Sequence, residues 1–302
     1  MKISIKIKRW LRNIKNILFD SISWIGIFWL FVEIFSYSTN GQADSVLKNV
    51  YLFSIVFLVI GIISVLKNRP KTSFKYHLRN KDNYIEIRVG DAFKNNGALI
   101  VPVNDEFDMS LGGNVAKANS IQNQVIQNFY AGKSEHINAD ISAKIAIGQK
   151  YEIGKTVEIE QNGKKFYLVV NSIKCSNNRA KSDIDDFVQA LNGLWQYIAL
   201  ECGRNNELTI PLINTQHGRD SNLSRKSAIK EIITSYIESS KYLNICEKLI
   251  ISIHPSDLAK GNIDLDEIDD FLKFSCHHYR KLTLQQRDED PSNGSKIIQI
   301  DN

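Results

Sequence analysis

The hydrophobic pattern of the chain changes once, near residue 82. Before that point stand two stretches that are apolar around the whole helix rather than along one stripe: residues 17–37, ILFDSISWIGIFWLFVEIFSY, and residues 50–66, VYLFSIVFLVIGIISVL. A bilayer core needs about 20 apolar residues, with about 17 as the lower limit. The second stretch has no charge and is the cleaner membrane span. The first carries Asp20 near one end and Glu33 near the other, where a carboxylate reaches the interface. Trp24, Trp29 and Tyr37 suit interfacial anchoring. A signal peptide fails as a reading of the first stretch, on length and for want of a small-residue cleavage site. The two stretches therefore read as a transmembrane hairpin with a short loop at residues 38–49.

Residues 67–82 are polar, contain Pro70 and read as a linker. Beyond them short apolar runs alternate with helical spacing. YIEIRV (84–89) has period 2 and predicts a strand, and ALIVPV (98–103) predicts one buried on both faces. Residues 114–131 have helical spacing. Segments 156–160 and 165–173 flank Asn162-Gly163, a hairpin signal. A helix follows at about 182–202, with Ser182 and Asp185 as a capping pair. Then come a strand at 208–213, a helix at 222–239, a strand at 248–254 and a helix at about 264–280. The fold class is α/β: a mixed sheet flanked by helices on both faces, preceded by the transmembrane hairpin. The expected organisation is a basic cytoplasmic segment (1–16), the hairpin (17–66), the linker (67–82), a globular domain (83–283) and a polar, frayed C-terminal tail (284–302).

Charge sharpens this division. The 302 residues hold 38 Lys+Arg against 33 Asp+Glu, but residues 1–81 hold 13 basic and 3 acidic side chains, leaving 25 and 30 for the rest. A main domain that is net acidic argues against a nucleic-acid partner. The positive charges flank the spans: Lys2, Lys6, Lys8, Arg9, Arg12 and Lys15 before the first, and Lys67, Arg69, Lys71 and Lys75 after the second. The loop between has Lys48 balanced by Asp44. The positive-inside rule places both termini and the globular domain in the cytoplasm, with the basic segment on the anionic lipid leaflet. Four scattered cysteines with no CxxC pair lead us to expect free thiols rather than zinc or a disulfide framework.

Four segments at strand ends could carry chemistry, because parallel sheets bind ligands beyond the carboxyl ends of their strands. Gly90-Asp91-Ala92 offers a turn and a carboxylate acceptor. Pro102-Val103-Asn104 ends a buried strand in an amide that both donates and accepts, which suits a sugar hydroxyl. Gly112-Gly113-Asn114 precedes a helix, where backbone N–H groups favour phosphate. Ile210-Pro211-Leu212-Ile213 runs into the polar loop Asn214, Thr215, Gln216, His217, Gly218 and Arg219, in which Thr215 could donate to a phosphate and Arg219 pair with one. No catalytic triad order or metal spacing stands out, so no catalytic residue and no metal ligand is assigned.

Together these segments resemble a macro domain, the ADP-ribose-binding module, over roughly residues 83–280. The resemblance implies a macro-like sheet. Asp91 would contact adenine, Asn104 would lie near the distal ribose, and Gly112, Gly113 and residues 214–218 would cradle the diphosphate. Asn114 stands where many macro domains have a third glycine, and Asn214-Thr215-Gln216 replaces a glycine-flanked threonine, so a modified or differently posed ligand is implied.

Two membrane spans before a divergent macro domain resemble the macro-type effector of the Thoeris bacterial antiphage system. That resemblance implies a non-enzymatic receptor without a cofactor. Its ligand would be an ADP-ribose-derived signal, with an amino-acid conjugate among the candidates, made by an NAD-consuming TIR-domain partner. It further implies a homo-oligomer in the bacterial inner membrane that damages the bilayer and arrests or kills the infected cell. An ADP-ribosyl hydrolase, or a passive ADP-ribose reader, is the alternative.

Overall fold

The computed structural model describes residues 3–40, 50–69, 72–79, 81–109, 120–175, 180–203, 205–213, 223–260, 263–279, 282–284 and 298–300. The chain divides into two compact units, Met1–Thr72 and Ser73–Asn302.

The first unit is a helical pair. Helix α1 (Ile3–Ser38) is continuous over 36 residues, so the basic segment expected ahead of the span forms its first turns. Its stretch Asn13–Ser38, with a mean hydropathy of 1.8, is long and apolar enough to cross a membrane. Helix α2 (Val50–Lys67) has 18 residues and is apolar up to its closing lysine, and among the described residues its apolar stretch is Phe53–Lys67. Phe53 packs against the rings of Phe28 and Trp29, at centroid distances of 6.3 and 6.1 Å. Asp20 is bonded across to the end of α2: it accepts from Asn68 Nδ2 at 2.7 Å and pairs with Lys67 Nζ at 3.0 Å. Asn13 Nδ2 adds a bond to the Asn68 carbonyl at 3.0 Å.

The second unit is built on one twisted sheet, with strands β1 (Ser73–His77), β2 (Tyr84–Val89), β3 (Ala98–Asn104), β4 (Thr156–Gln161), β5 (Lys164–Lys174), β6 (Ala180–Lys181), β7 (Asn205–Pro211) and β8 (Cys246–Ile253). The order is β1-β2-β8-β7-β3-β5-β4, with β6 paired to β5. Strands β2, β8, β7, β3 and β5 are mutually parallel, and β1 and β4 run antiparallel at the two edges. Strand β1 lies inside the segment read as a linker. Only two of its five residues, Phe74 and Tyr76, are apolar, too few for a periodic signal, yet Phe74 is buried. A short pair, β9 (Leu282–Leu284) and β10 (Ile298–Ile300), lies partly in the segment expected to fray.

Helices cover both faces. Those named α3 (Ile121–Phe129) and α4 (Ser134–Ser142) pack Val125, Ile126, Ile137 and Ile141 on one face. On the other, α5 (Ile184–Tyr197), α6 (Arg225–Ser240) and α8 (Leu265–His277) enclose the larger core, while α7 (Pro255–Lys260) follows β8. Trp195 is fully buried there, with its Nε1 donating to Ser235 Oγ at 2.8 Å.

Two local readings are corrected. The cap of α5 is one residue later than Ser182/Asp185: extended Asp183 accepts from Asp186 N at 2.8 Å, and the Asp186 carboxylate accepts from Asp183 N at 3.1 Å. The helix read from residue 114 is described only from Ile121, where Ser120 caps it. Asp269 accepts from Tyr76 OH at 2.7 Å and ties α8 to β1. The Asn162-Gly163 turn has both residues at positive φ, 52° and 71°, as a two-residue hairpin requires.

Helix α5 approaches the strand layer through two glycines. A Cβ on Gly193 would lie 2.6 Å from the Gly154 carbonyl oxygen, and Gly154 itself has a φ of +90°. Gly193→Val therefore forces backbone apart in a close-packed layer, and we expect a loss of about 1–3 kcal/mol, read as a lower Tm by near-ultraviolet circular dichroism.

Candidate functional site

The sheet carries a parting in its middle. Strands β3 and β7 pair only at Ala98↔Leu208 and Leu99↔Thr209. Each continues on its other side, β3 with β5 as far as Asn104↔Ser172 and β7 with β8 as far as Pro211↔Ser252. Both carry a proline past the last shared rung, Pro102 and Pro211, and neither has an N–H to donate to a ladder. The chain order also reverses here: β5 and β4 lie to one side of β3, and β7, β8 and β2 to the other. This is the switch point at which open α/β sheets form a crevice beyond their strand ends.

The sequence-predicted residues that the structure describes line the same sheet edge. Gly90 follows β2; its N–H donates to the Ile253 carbonyl at 3.0 Å and its carbonyl accepts from Ser252 Oγ at 3.3 Å. A Cβ on Gly90 would meet nothing within 4 Å, so the backbone here is open. Asp91 is the N-cap of a 3-10 turn, Ala92–Lys94, and its Oδ1 accepts from Phe93 N at 3.0 Å. Ala92 is buried in the core beneath α3, which leaves its backbone for any ligand contact. Asn104 ends β3 and is 1% exposed. Its Oδ1 accepts from the N–H groups of Glu106 and Asp108, both at 3.1 Å, and so fixes the turn after the strand. Its Nδ2 is buried and has no hydrogen-bond partner among the described residues. Asp91 and Asn104 follow strands three places apart in the sheet, about 14 Å at the usual strand spacing. They therefore suit opposite ends of one extended ligand. Gly112, Gly113 and Asn114, and Asn214, Thr215, Gln216, His217, Gly218 and Arg219, lie outside the described residues.

Sequence reasoning missed an acidic lip at this edge. Asp105, Glu106 and Asp108 follow Asn104 directly, a run of three carboxylates in four positions that was the available signal. Lys174, at the end of β5, bonds Glu106 at 2.7 Å and Asp108 at 3.0 Å, and these two partners, Glu106 first, raise its pKa above the usual lysine value. Buried Asp105 accepts from Lys174 N at 2.7 Å. The loop after β3 is thus tied to β5 across the sheet edge.

A family described as "Thoeris protein ThsA, Macro domain" matches residues 85–254, more than half the chain. The chain belongs to that family. Its second unit is a ThsA-type macro domain, with the mixed sheet and two helical layers described above. Solved macrodomains are similar at low identity. A variant of the Oceanobacillus iheyensis macrodomain is 14% identical with a TM-score of 0.46, over 66% of this chain and 93% of that one. A second variant of it, with ADPR, is 14% identical with a TM-score of 0.45, over 66% and 99%. The macro domain of ganglioside induced differentiation associated protein 2 is 10% identical with a TM-score of 0.42, over 62% and 83%. No curated protein matches the chain.

Asn104→Ala removes the acceptor of two turn N–H groups, so we expect the ThsA-type domain to lose about 1–3 kcal/mol, measured as a lower midpoint in urea unfolding.

Proposed function

We propose that the protein is a membrane-anchored receptor and effector of antiphage defence, whose macro domain binds an ADP-ribose-derived signal nucleotide. The observation that carries the ligand reading is Asn104 Nδ2, a buried donor left without a partner among the described residues at the end of β3. A ribose hydroxyl bonded there would satisfy it, and unmet buried donors are costly. Asp91, with Ala92 backbone beside it, would take the adenine end. Gly112, Gly113, Asn114 and residues Asn214–Arg219 would hold the diphosphate between. The family membership supports the defence context, and an NAD-consuming TIR-domain partner would make the signal.

The response would run through the helical unit. Helices α1 and α2 would both cross the inner membrane, leaving both termini and the macro domain in the cytoplasm. The signal would act by binding one arrangement of the protein better than another, since a ligand shifts an equilibrium only by its differential affinity. That arrangement would be an oligomer whose hairpins damage the bilayer and stop the infected cell. No catalytic step is needed. The amide of Asn104 is a poor base, and among the described residues no group of three or more His, Cys, Asp or Glu could hold a metal ion.

Calorimetric titration of the full-length protein in neutral detergent tests this reading. We expect binding of ADP-ribose or its amino-acid conjugate without turnover, and an affinity lower by about tenfold in Asn104→Asp, which keeps an oxygen for the turn but has no amide N–H. In cells, co-expression with an active NAD-consuming TIR enzyme should collapse the membrane potential. Hydrolysis of an ADP-ribose ester by the purified protein, or absence of any binding, would overturn it.

A further inference from the structure

The acidic balance of the domain is reversed in one place. A broad cleft of about 1040 Å³ opens at the edge of the sheet opposite the crevice, between the β1–β2 turn, the C-terminal end of α6 and that of α8. Arg79, Lys81, Lys241 and Lys273 line it, and among the described residues Asp82 is the one carboxylate in its lining. Residues 73–302, which contain all four, hold 28 basic against 30 acidic side chains, so this concentration does not follow from the near-even composition of the unit.

The positive charges differ in their state. Lys81 is fixed at the floor: its Nζ donates to the carbonyls of Ser240 at 2.9 Å and Leu243 at 3.4 Å. Tyr279 OH also donates to the Ser240 carbonyl, at 3.0 Å. The carbonyls at the end of α6, which would otherwise repel an anion, are therefore covered by donors. Lys241 is compensated by Glu238, at 2.6 Å. Arg79 and Lys273 project from different elements, are exposed, and have no side-chain ion partner among the described residues. Tyr242, 63% exposed, adds a flat face at the rim. Burial pushes the Cys276 thiol at the back up to about 12, so it stays neutral and presents no thiolate to an anion.

We infer that this cleft is a second ligand site, distinct from the crevice at the carboxyl ends of the strands, and that it takes a phosphate-bearing molecule through Arg79, Lys81 and Lys273. Guanidinium and ammonium groups converging from separate elements bind phosphate oxygens through charge-assisted hydrogen bonds. The phosphate belongs either to a soluble oligophosphate or to an anionic lipid headgroup, and the chemistry of recognition is the same.

The test uses full-length protein in neutral detergent, titrated with pyrophosphate and, separately, with dihexanoyl phosphatidylglycerol. The comparison is the double variant Arg79→Ser/Lys273→Ser, whose exposed positions should leave Tm unchanged. We expect one or both probes to bind and the variant to weaken that binding by about tenfold per charge removed, while ADP-ribose affinity stays the same. Pyrophosphate alone would identify a soluble ligand, and the lipid alone a headgroup. Absence of binding by both probes, or binding that the double variant leaves intact, would overturn the inference. The ADP-ribose titration is read independently, so failure here is separable from failure of the crevice assignment.

Discussion

The domain depends on two neighbouring parallel strands that stop pairing early. Strands β3 and β7 share two rungs and then part, each staying bonded to its outer neighbour. Prolines in central strands are disfavoured because they remove a ladder donor. Here Pro102 and Pro211 stand where the shared ladder has already ended, so their cost is small and their effect is local: the sheet cannot close between them. The crevice, and the exits of the segments that follow β3 and β7, arise from that gap.

Around it the fold is made stiff. The turn after β3 is held by Asn104 from within and by Lys174 from the neighbouring strand. At the far end of the sheet the half-buried charges form a closed set. Glu86 pairs with Arg88 at 2.8 Å and with Lys248 at 3.3 Å, and Lys248 reaches Glu207 at 2.9 Å. Burial alone would raise the Glu86 pKa, but Arg88 and Lys248 hold it below the usual carboxylate value. Charges removed from water need such partners, and breaking one pair strands the other member.

The helical unit follows the same rule in an apolar setting. Asp20 places a carboxylate on the face of α1 that meets α2, and it is matched by Asn68 and Lys67 at the end of α2. A carboxylate without these partners would oppose burial of that helix in lipid. The match also fixes the register of the two helices, because one polar cluster satisfies only one alignment.

By itself the sequence determined the period of each long element. The apolar stretches of α1 and α2, the strands β2, β3, β5 and β8, and the Asn162-Gly163 hairpin were legible because each repeats its signal over several residues. The turn positions Gly90-Asp91 and Asn104 were legible too, as polar residues directly after apolar runs, and their order carried the resemblance to a macro domain. Tertiary structure alone decided the rest. Strand β1 has two apolar residues and exists because β2 offers an open ladder. The cap of α5 falls on Asp183 because backbone geometry selects one acid among neighbours. The pairing of Asp20 with Lys67 and Asn68, the acidic lip on Lys174, and the basic cleft all join residues far apart in the chain. Sequence periodicity reports which face of an element is apolar; it carries no information about which distant charge that face will meet.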